Sequence, residues 1–229
     1  MALNDTERFA RQLLMSEVGI EGQKRLLQSH VLIVGAGGLG SPLIHALAAA
    51  GVGHLRIVDC DTVSPSNLNR QTLYQVADIG KSKAEKAGTW VKAFYPECRV
   101  EACSEYLGKK HLTGIDIAVD AVDNYRTRLL LDRLTEEAGI PMVHGSVSGL
   151  IGNVATFVPG RSRYRDLFGN PDDDSEKAPP QVLGVTAQTI GSIEAAEVLK
   201  QILGLEGNLS GRLLTADLRT YDFRLFDLP

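Results

Sequence analysis

His30-Val-Leu-Ile-Val-Gly-Ala-Gly-Gly-Leu-Gly-Ser41, followed by small residues as far as Gly53 and then by His54-Leu-Arg-Ile-Val-Asp59, decides how the rest of the chain reads. Val31 to Val34 is a β-branched, apolar run ended by glycine, which predicts a buried parallel strand. Gly35-x-Gly37-x-x-Gly40 follows at once. Ser41 to Ala50 predicts a helix whose alanine face can lie close to a sheet, and Leu55 to Val58 a second strand with Asp59 at its end. A glycine pattern alone is a weak signal. With a strand before it, a helix after it and an acid about 20 residues on, it predicts a nucleotide half-site. Gly35 permits the tight turn, Gly37 lets the backbone approach a phosphate, and Gly40 allows close helix–strand packing. Amide groups at the helix start then face an anion, and Asp59 is placed to accept hydrogen bonds from a ribose. The pattern points to a nucleotide without selecting one.

The chain has 229 residues, 44% hydrophobic and 23% charged, which is ordinary for a globular protein. One domain is expected over 1–229: N-terminal helices over 1–29, a nucleotide-binding core over 30–158, a mobile crossover loop over 159–185, and a closing helix and strands over 186–229. The net charge of −4 argues against nucleic acid held by bulk electrostatics. No apolar run reaches the roughly 18 residues of a membrane span. Met1 to Arg8 carries acids and lacks the apolar core of a signal peptide. Three cysteines (Cys60, Cys98 and Cys103) build no disulfide framework, so a cytoplasmic location is expected.

Outward from the glycine stretch, Asp5 to Met15 has helical spacing of Phe9, Leu13 and Leu14, with Arg8 and Arg11 three residues apart. Glu21 to Gln28 predicts a second helix. After Asp59 the chain leaves the dehydrogenase plan: Asp61 to Gly80 is long and irregular, and it carries Asn67 and Arg70. Loops of that length are uncommon unless they serve a function. A helix is expected from Lys81 to Phe94. Arg70 and Lys83, each unremarkable alone, together bracket a polyphosphate beyond the glycine turn. Val100 to Ala102 and Ile115 to Val122 predict strands. Asp123 then stands at a strand end, either as a second acid facing the crevice or as the N-cap of a helix over Tyr125 to Ala138. Pro141 to Ser146 predicts another strand, and Gly149 to Val158 an antiparallel extension. Pro159 to Gln181, with its charge runs and paired prolines, predicts a mobile surface loop. Thr186 to Leu203 predicts a long helix, and Arg212 to Asp217 and Tyr221 to Leu228 closing strands. The fold class expected is α/β: a Rossmann-like, mostly parallel sheet with helices on both faces, extended by antiparallel strands. The five histidines read as structural or surface groups, and Cys60 as a small packed side chain.

Arg8-x-x-Arg11-Gln12, Val-Gly35-Ala-Gly-Gly38-Leu-Gly40-Ser, Asp59-x-Asp61, Ser66-Asn-Leu-Asn-Arg70-Gln71, Gly80-Lys-Ser-Lys83, Asp120-Ala-Val-Asp123-Asn124 and Gly191-Ser-Ile-Glu-Ala-Ala-Glu197 occur in this order from Arg8 to about Asp222. As an ordered set they resemble the ThiF/MoeB/HesA branch of the ubiquitin-activating-enzyme superfamily. The resemblance implies an adenylyltransferase that uses ATP and Mg2+ to activate the C-terminal glycine carboxylate of a ubiquitin-fold sulfur carrier ending in Gly-Gly, releasing pyrophosphate, for a cofactor such as thiamine or molybdopterin. It implies that Gly35, Gly37, Gly38, Gly40, Asp59, Asp61 and Asn67 hold the nucleotide and that Arg70 and Lys83 neutralise its phosphates. Asp123 would serve the magnesium or the reacting phosphate, and Arg11 would reach the ATP of the other subunit of a homodimer. A carboxylate nucleophile is already ionised at pH 7, so the reaction needs no general base, consistent with motifs that contain no histidine.

Two departures from that family shape further expectations. Many relatives carry two Cys-x-x-Cys pairs for a structural zinc. Here Asp166 and Ala178-Pro-Pro180 stand where cysteine is expected, no C-terminal pair follows, and Cys98 and Cys103 lack zinc spacing, so no zinc is expected. The crossover loop carries no cysteine for a thioester or acyl-disulfide, so sulfur is expected from a separate donor. Alternatives are adenylation of another acceptor (a peptide C-terminus, a siderophore-pathway carrier or a modified tRNA base), a nucleotide-binding scaffold, or an NAD-dependent oxidoreductase.

Overall fold

A computed structural model describes residues 3–161, 163–169 and 181–228. Three helices open the chain: α1 (Leu3–Arg8), α2 (Ala10–Leu13) and α3 (Gly19–Gln28). The alternating core is β1 (His30–Val34), α4 (Gly40–Ala50), β2 (His54–Val58), α5 (Lys83–Phe94), β3 (Arg99–Cys103), β4 (Ile117–Asp120), α6 (Tyr125–Ala138) and β5 (Met142–Ser148). It is followed by β6 (Ile151–Phe157), α7 (Tyr164–Phe168), α8 (Gly184–Leu203), β7 (Arg212–Asp217) and β8 (Asp222–Asp227). The strands form one sheet in the order β3-β2-β1-β4-β5-β6-β7-β8. Pairing is parallel from β3 to β5 and antiparallel from β5 to β8. This is the expected mostly parallel sheet with its antiparallel extension. The order reverses between β1 and β4, and Val34 lies level with both Val58 and Asp120. The carboxyl ends of three strands therefore meet at the switch point, where open α/β sheets place a ligand.

The period of two along β1 assigns its side chains to opposite faces. Val31 and Ile33 join Leu43, Leu47, Ala87 and Ile190 in one apolar cluster, under α4, α5 and α8. Leu32 and Val34 join Leu131, Phe157 and Tyr164 in a second, under α6 and α7. Large side chains buried this completely each contribute about 1.5–3 kcal/mol, so the glycine turn leaves a strand held from both faces.

Three expectations are corrected: Cys60, expected as a small packed side chain, is exposed, and the other two concern elements. The N-terminal helix breaks at Phe9 (φ −98°, ψ 12°) into α1 and α2. Phe9 is buried, edge-on to Tyr95 with ring centroids 5.8 Å apart, and its ring fills the space where a Cβ on Gly51 would stand. Tertiary packing of one ring thus overrides a helical pattern. The expected mobile stretch is also partly folded. Tyr164–Phe168 is helical, and buried Arg163 donates from Nε to Asp132 Oδ1 (3.0 Å) and from Nη2 to the Asp132 carbonyl and Thr135 Oγ1 (both 2.7 Å). The 170–180 part of that expectation lies outside the described residues.

Candidate active site

The glycine turn needs its glycines. Gly35 has φ +98°, and a Cβ there would stand 2.6 Å from the Ala121 carbonyl oxygen at the end of β4. A Cβ on Gly40 would stand 2.2 Å from the Gly35 carbonyl oxygen. The Ala36 amide donates to Asp59 Oδ2 (2.7 Å) and the Asp61 amide to Asp59 Oδ1 (2.9 Å), so the acid at the end of β2 is locked against the turn. Burial pushes the Asp59 carboxyl up from its ordinary value; the two amide donors and Lys83 pull it back.

The segment after β2 is folded by its own polar side chains. The Ser64 amide donates to Asn67 Oδ1 (3.0 Å), closing a one-turn helix over Pro65–Asn67, and the Gln75 amide donates to Asp78 Oδ2 (3.1 Å) in a second turn over Val76–Asp78. Ser82 caps α5 by accepting from the Glu85 amide (3.2 Å), and the Lys83 amide donates to the Asp61 carbonyl (3.0 Å). This stitching delivers Lys83, buried along its stem, with Nζ 2.8 Å from Asp61 Oδ2. It also lays Arg70 over the glycine turn, its Cγ 3.5 Å from where a Cβ on Gly38 would be. Arg70 Nη1 donates to the Ser66 carbonyl (2.8 Å) and Asn69 Oδ1 (3.1 Å).

Beyond β4 an open alternative closes. The Thr127 amide donates to Asn124 Oδ1 (2.9 Å), so Asn124 is the N-cap of α6 and Asp123 is free of that duty. Asp123 is exposed and makes no ion pair among the described residues. Its turn is held from beneath: the Val122 amide donates to buried Asp120 Oδ1 (3.2 Å), and Arg128 Nη2 donates to the Val122 carbonyl (2.6 Å). Asp120 Oδ2 also meets His144 Nδ1 (2.7 Å) and Arg128 Nε (3.2 Å). Burial lowers the His144 ring's proton affinity while Asp120 opposes that shift, so His144 serves the scaffold.

The fold thus gathers Gly35, Gly37, Gly38, Gly40, Asp59, Asp61, Arg70 and Lys83 at one crevice, with Asp123 on the adjoining strand end. It does not bring Arg11 there. Arg11 is exposed on α2, whose neighbour Gln12 donates from Nε2 to the Ala50 carbonyl (3.0 Å) at the far end of α4. Asn67 spends its carbonyl oxygen on Ser64, which makes it a builder of the loop. Two residues escaped the sequence reading. Tyr74 is buried and donates its hydroxyl to the Ala36 carbonyl (2.6 Å); no periodicity marked it. Gln71 is buried, with Nε2 3.4 Å from where a Cβ on Gly37 would be and Oε1 unpartnered among the described residues. Its only signal was its place in the Asn67-to-Gln71 run. Acids beside a helix N-terminus, faced by two cations, suit a nucleotide with its ribose on one side and its phosphates on the other.

Comparison with known proteins identifies the family. The SAMP-activating enzyme E1 of Haloferax volcanii is 43% identical over 218 residues, covering 92% of this chain and 81% of that protein. The sulfur carrier protein adenylyltransferase of Thermus thermophilus is 39% identical over 233 residues, covering 96% and 86%. Of some longer curated relatives the chain spans 51–62%. The crystal structure of PaaA superposes with a TM-score of 0.84 at 24% identity, covering all of this chain and 75% of that one, a likeness of fold. Residues 9–229 match the ThiF family, and with the glycine turn, the paired acids and the two cations in place, the chain belongs to that family.

Proposed function

We propose that the chain is an adenylyltransferase, a single domain that joins the C-terminal glycine carboxylate of a small ubiquitin-fold sulfur carrier to the AMP moiety of ATP. The carboxylate oxygen forms a bond to the α-phosphorus as the bond from that phosphorus to the pyrophosphate oxygen breaks. The products are an acyl-adenylate and pyrophosphate. The observation that carries the reading is the pairing of Arg70 over Gly38 with Lys83 beside Asp61. Two cations beyond the glycine turn answer to a triphosphate and have no use at a nicotinamide. The names of the Haloferax and Thermus relatives support the carrier as acceptor.

The residues fit ATP. Gly37 and Gly38 carry no side chain at the turn, and the buried Gln71 amide lies against Gly37, its Nε2 3.4 Å from where a Cβ would be. Asp59 takes the ribose hydroxyls, Asp61 holds Lys83 in reserve, and Asn67 shapes the loop that presents Arg70. Mg2+, when bound, neutralises phosphate charge, and the exposed Asp123 carboxylate is the residue to hold it. No side chain has to remove a proton, because the nucleophile is already a carboxylate. The catalytic demand is charge cancellation as two anions approach, met by Arg70 and Lys83. Arg11, one helix length from its own crevice, acts at the partner site of a homodimer. Exposed Leu14 (80%), at the end of α2, and Ile20 (61%), on the adjoining α3, supply apolar surface for that contact. Sulfur comes from a separate donor. Among the described residues no helix is long and apolar enough to cross a membrane. The net charge of −4 favours a protein acceptor over a nucleic-acid one, and three cysteines without a disulfide framework suit a cytoplasmic enzyme.

ATP–pyrophosphate exchange, run with a panel of ubiquitin-fold carriers ending in Gly-Gly, tests the proposal. Exchange is expected with a cognate carrier, and Asp123→Ala or Lys83→Ala is expected to lower it on the order of 10²–10³-fold while the circular dichroism spectrum stays unchanged. Exchange that needs no carrier, or that survives both substitutions, overturns it.

A further inference from the structure

Cys103 is the last residue of the edge strand β3, and Glu105 lies two residues on. The chain then folds back in a one-turn helix over Lys109–Leu112 that carries His111. The Cys103 Sγ, a Glu105 carboxylate oxygen and a His111 ring nitrogen all lie within 4.8 Å of one another. His111 Nε2 is 3.2 Å from Glu105 Oε1. Ligand atoms on a tetrahedral zinc, at bond lengths of about 2.0–2.3 Å, stand about 3.3–3.6 Å apart, so the three donors need only a small closure around an ion.

The surroundings are built for it. His111 is buried, and its Nδ1 lies 3.0 Å from the Gly108 amide nitrogen and 3.1 Å from the Gly108 carbonyl oxygen. Each tautomer therefore has a partner. With Nδ1 accepting from the amide, Nε2–H donates to Glu105. With Nδ1–H donating to the carbonyl, the Nε2 lone pair is free, and a backbone carbonyl on the far nitrogen is the usual orienting contact of a ligating histidine. Arg56 Nη1 clamps the histidine turn by donating to the His111 and Thr113 carbonyls (both 2.9 Å). The β2–β3 ladder fixes Cys103 opposite Val58. Lys110 Nζ takes Glu105 Oε2 (2.7 Å) and leaves Oε1 for a second partner.

We propose that Cys103, Glu105 and His111 form a divalent-metal site suited to Zn2+, with water in the fourth position. A thiolate, an imidazole and a carboxylate are the donor set of a borderline cation; Mg2+ and Ca2+ would take oxygen alone. Binding expels the thiol proton to solvent and moves the imidazole proton from Nε2 to Nδ1, so one proton is released per ion. The expectation of no zinc rested on missing Cys-x-x-Cys pairs, and Cys103-x-Glu105-x5-His111 is a different arrangement. The Cys103 carbonyl accepts from the Asp59 amide (3.1 Å), which places the ion one strand from the nucleotide acid. The site stands independently of the adenylylation reading.

Titration of the metal-free, untagged chain with Co2+, followed by absorbance, tests it. The expected result is a thiolate-to-cobalt charge-transfer band with tetrahedral visible bands, saturating at one equivalent and displaced by Zn2+. Cys103→Ser is expected to remove the charge-transfer band. Glu105→Gln, at an exposed position, and His111→Gln are expected to weaken binding by on the order of 10–100-fold. Cys60→Ser should leave the spectrum unchanged, although Cys60 lies exposed between Asp59 and Asp61. Absence of the charge-transfer band in the parent chain, its survival in Cys103→Ser, or unweakened binding by folded Glu105→Gln overturns the proposal.

Discussion

Tyr74 ties together two parts of the crevice that are far apart in sequence. Its hydroxyl donates to the Ala36 carbonyl in the glycine turn and lies 3.3 Å from the Lys83 carbonyl at the start of α5. Tyr74→Phe leaves the turn carbonyl without its donor, so a loss of about 0.5–1.5 kcal/mol in unfolding free energy is expected by denaturant titration. The KM for ATP in the exchange assay should rise while kcat changes little, because the phenol touches the backbone and no reacting atom. A second residue bears on pH. Glu194 is fully buried, with neither carboxyl oxygen hydrogen-bonded among the described residues. Burial, then the Asp120 charge, raise its proton affinity well above the ordinary carboxylate value; Arg128 opposes them. A folded-state pKa above the unfolded one means the folded chain keeps a proton that the unfolded chain gives up. The contribution to stability is full below the unfolded pKa and is lost as pH rises through the folded one. Glu194→Gln cannot ionise, so its stability relative to the parent should improve from pH 5 to pH 8. Thermal unfolding at both values checks this, and an equal difference at the two would remove Glu194 from the linkage.

At the scale of elements, α7 is held by charge. Arg163 is buried against Asp132, which is fully buried, while half-exposed Arg165 reaches Asp132 Oδ2 at 3.2 Å from outside. Arg163→Ala leaves a buried carboxylate short of its main partner and is expected to cost about 3–5 kcal/mol and to open the 159–169 segment to limited proteolysis. Arg165→Ala, which removes a partly exposed pair, should cost under about 1 kcal/mol. The contrast also explains what the sequence could disclose. β1, the glycine turn, α4 and β2 were legible because apolar runs, glycine geometry and strand ends are local properties. The cations Arg70 and Lys83 were legible as a pair because they follow the half-site at once. The Arg163–Asp132 pair was not, because a charge run headed for a buried partner reads the same as one headed for water. Phe9 was not, because its break depends on the space at Gly51, 42 positions on. Asn67 looked like a ligand group and is found instead closing a turn, as Asp78 closes the next one, in a loop that reads as structureless.

Across the whole molecule, distance separates Arg11 from the crevice of its own chain. Gln12 is bonded to the carbonyl of Ala50, the last residue of α4, and the glycine turn opens the same helix. Eleven residues of helix separate the two ends by roughly 16 Å, further than an arginine side chain reaches. An Arg11 that matters to catalysis must therefore act on another copy of the chain, and an isologous dimer delivers each arginine to the other crevice. Neither Arg11→Ala nor Asp123→Ala protein should support exchange alone. In a mixed dimer, the crevice of the Arg11→Ala protomer keeps its own Asp123 and receives an intact Arg11 from its partner, while the other crevice lacks both. Random mixing in equal amounts makes half of the dimers mixed, each with one working site of two, so about one quarter of the parent activity should return. An arginine acting within its own chain predicts none, since no crevice then holds both residues. Exchange activity after mixing, with subunit exchange verified by native mass spectrometry of differently tagged chains, separates the two: recovery near one quarter places Arg11 across the interface, and no recovery among verified mixed dimers removes it from the partner site.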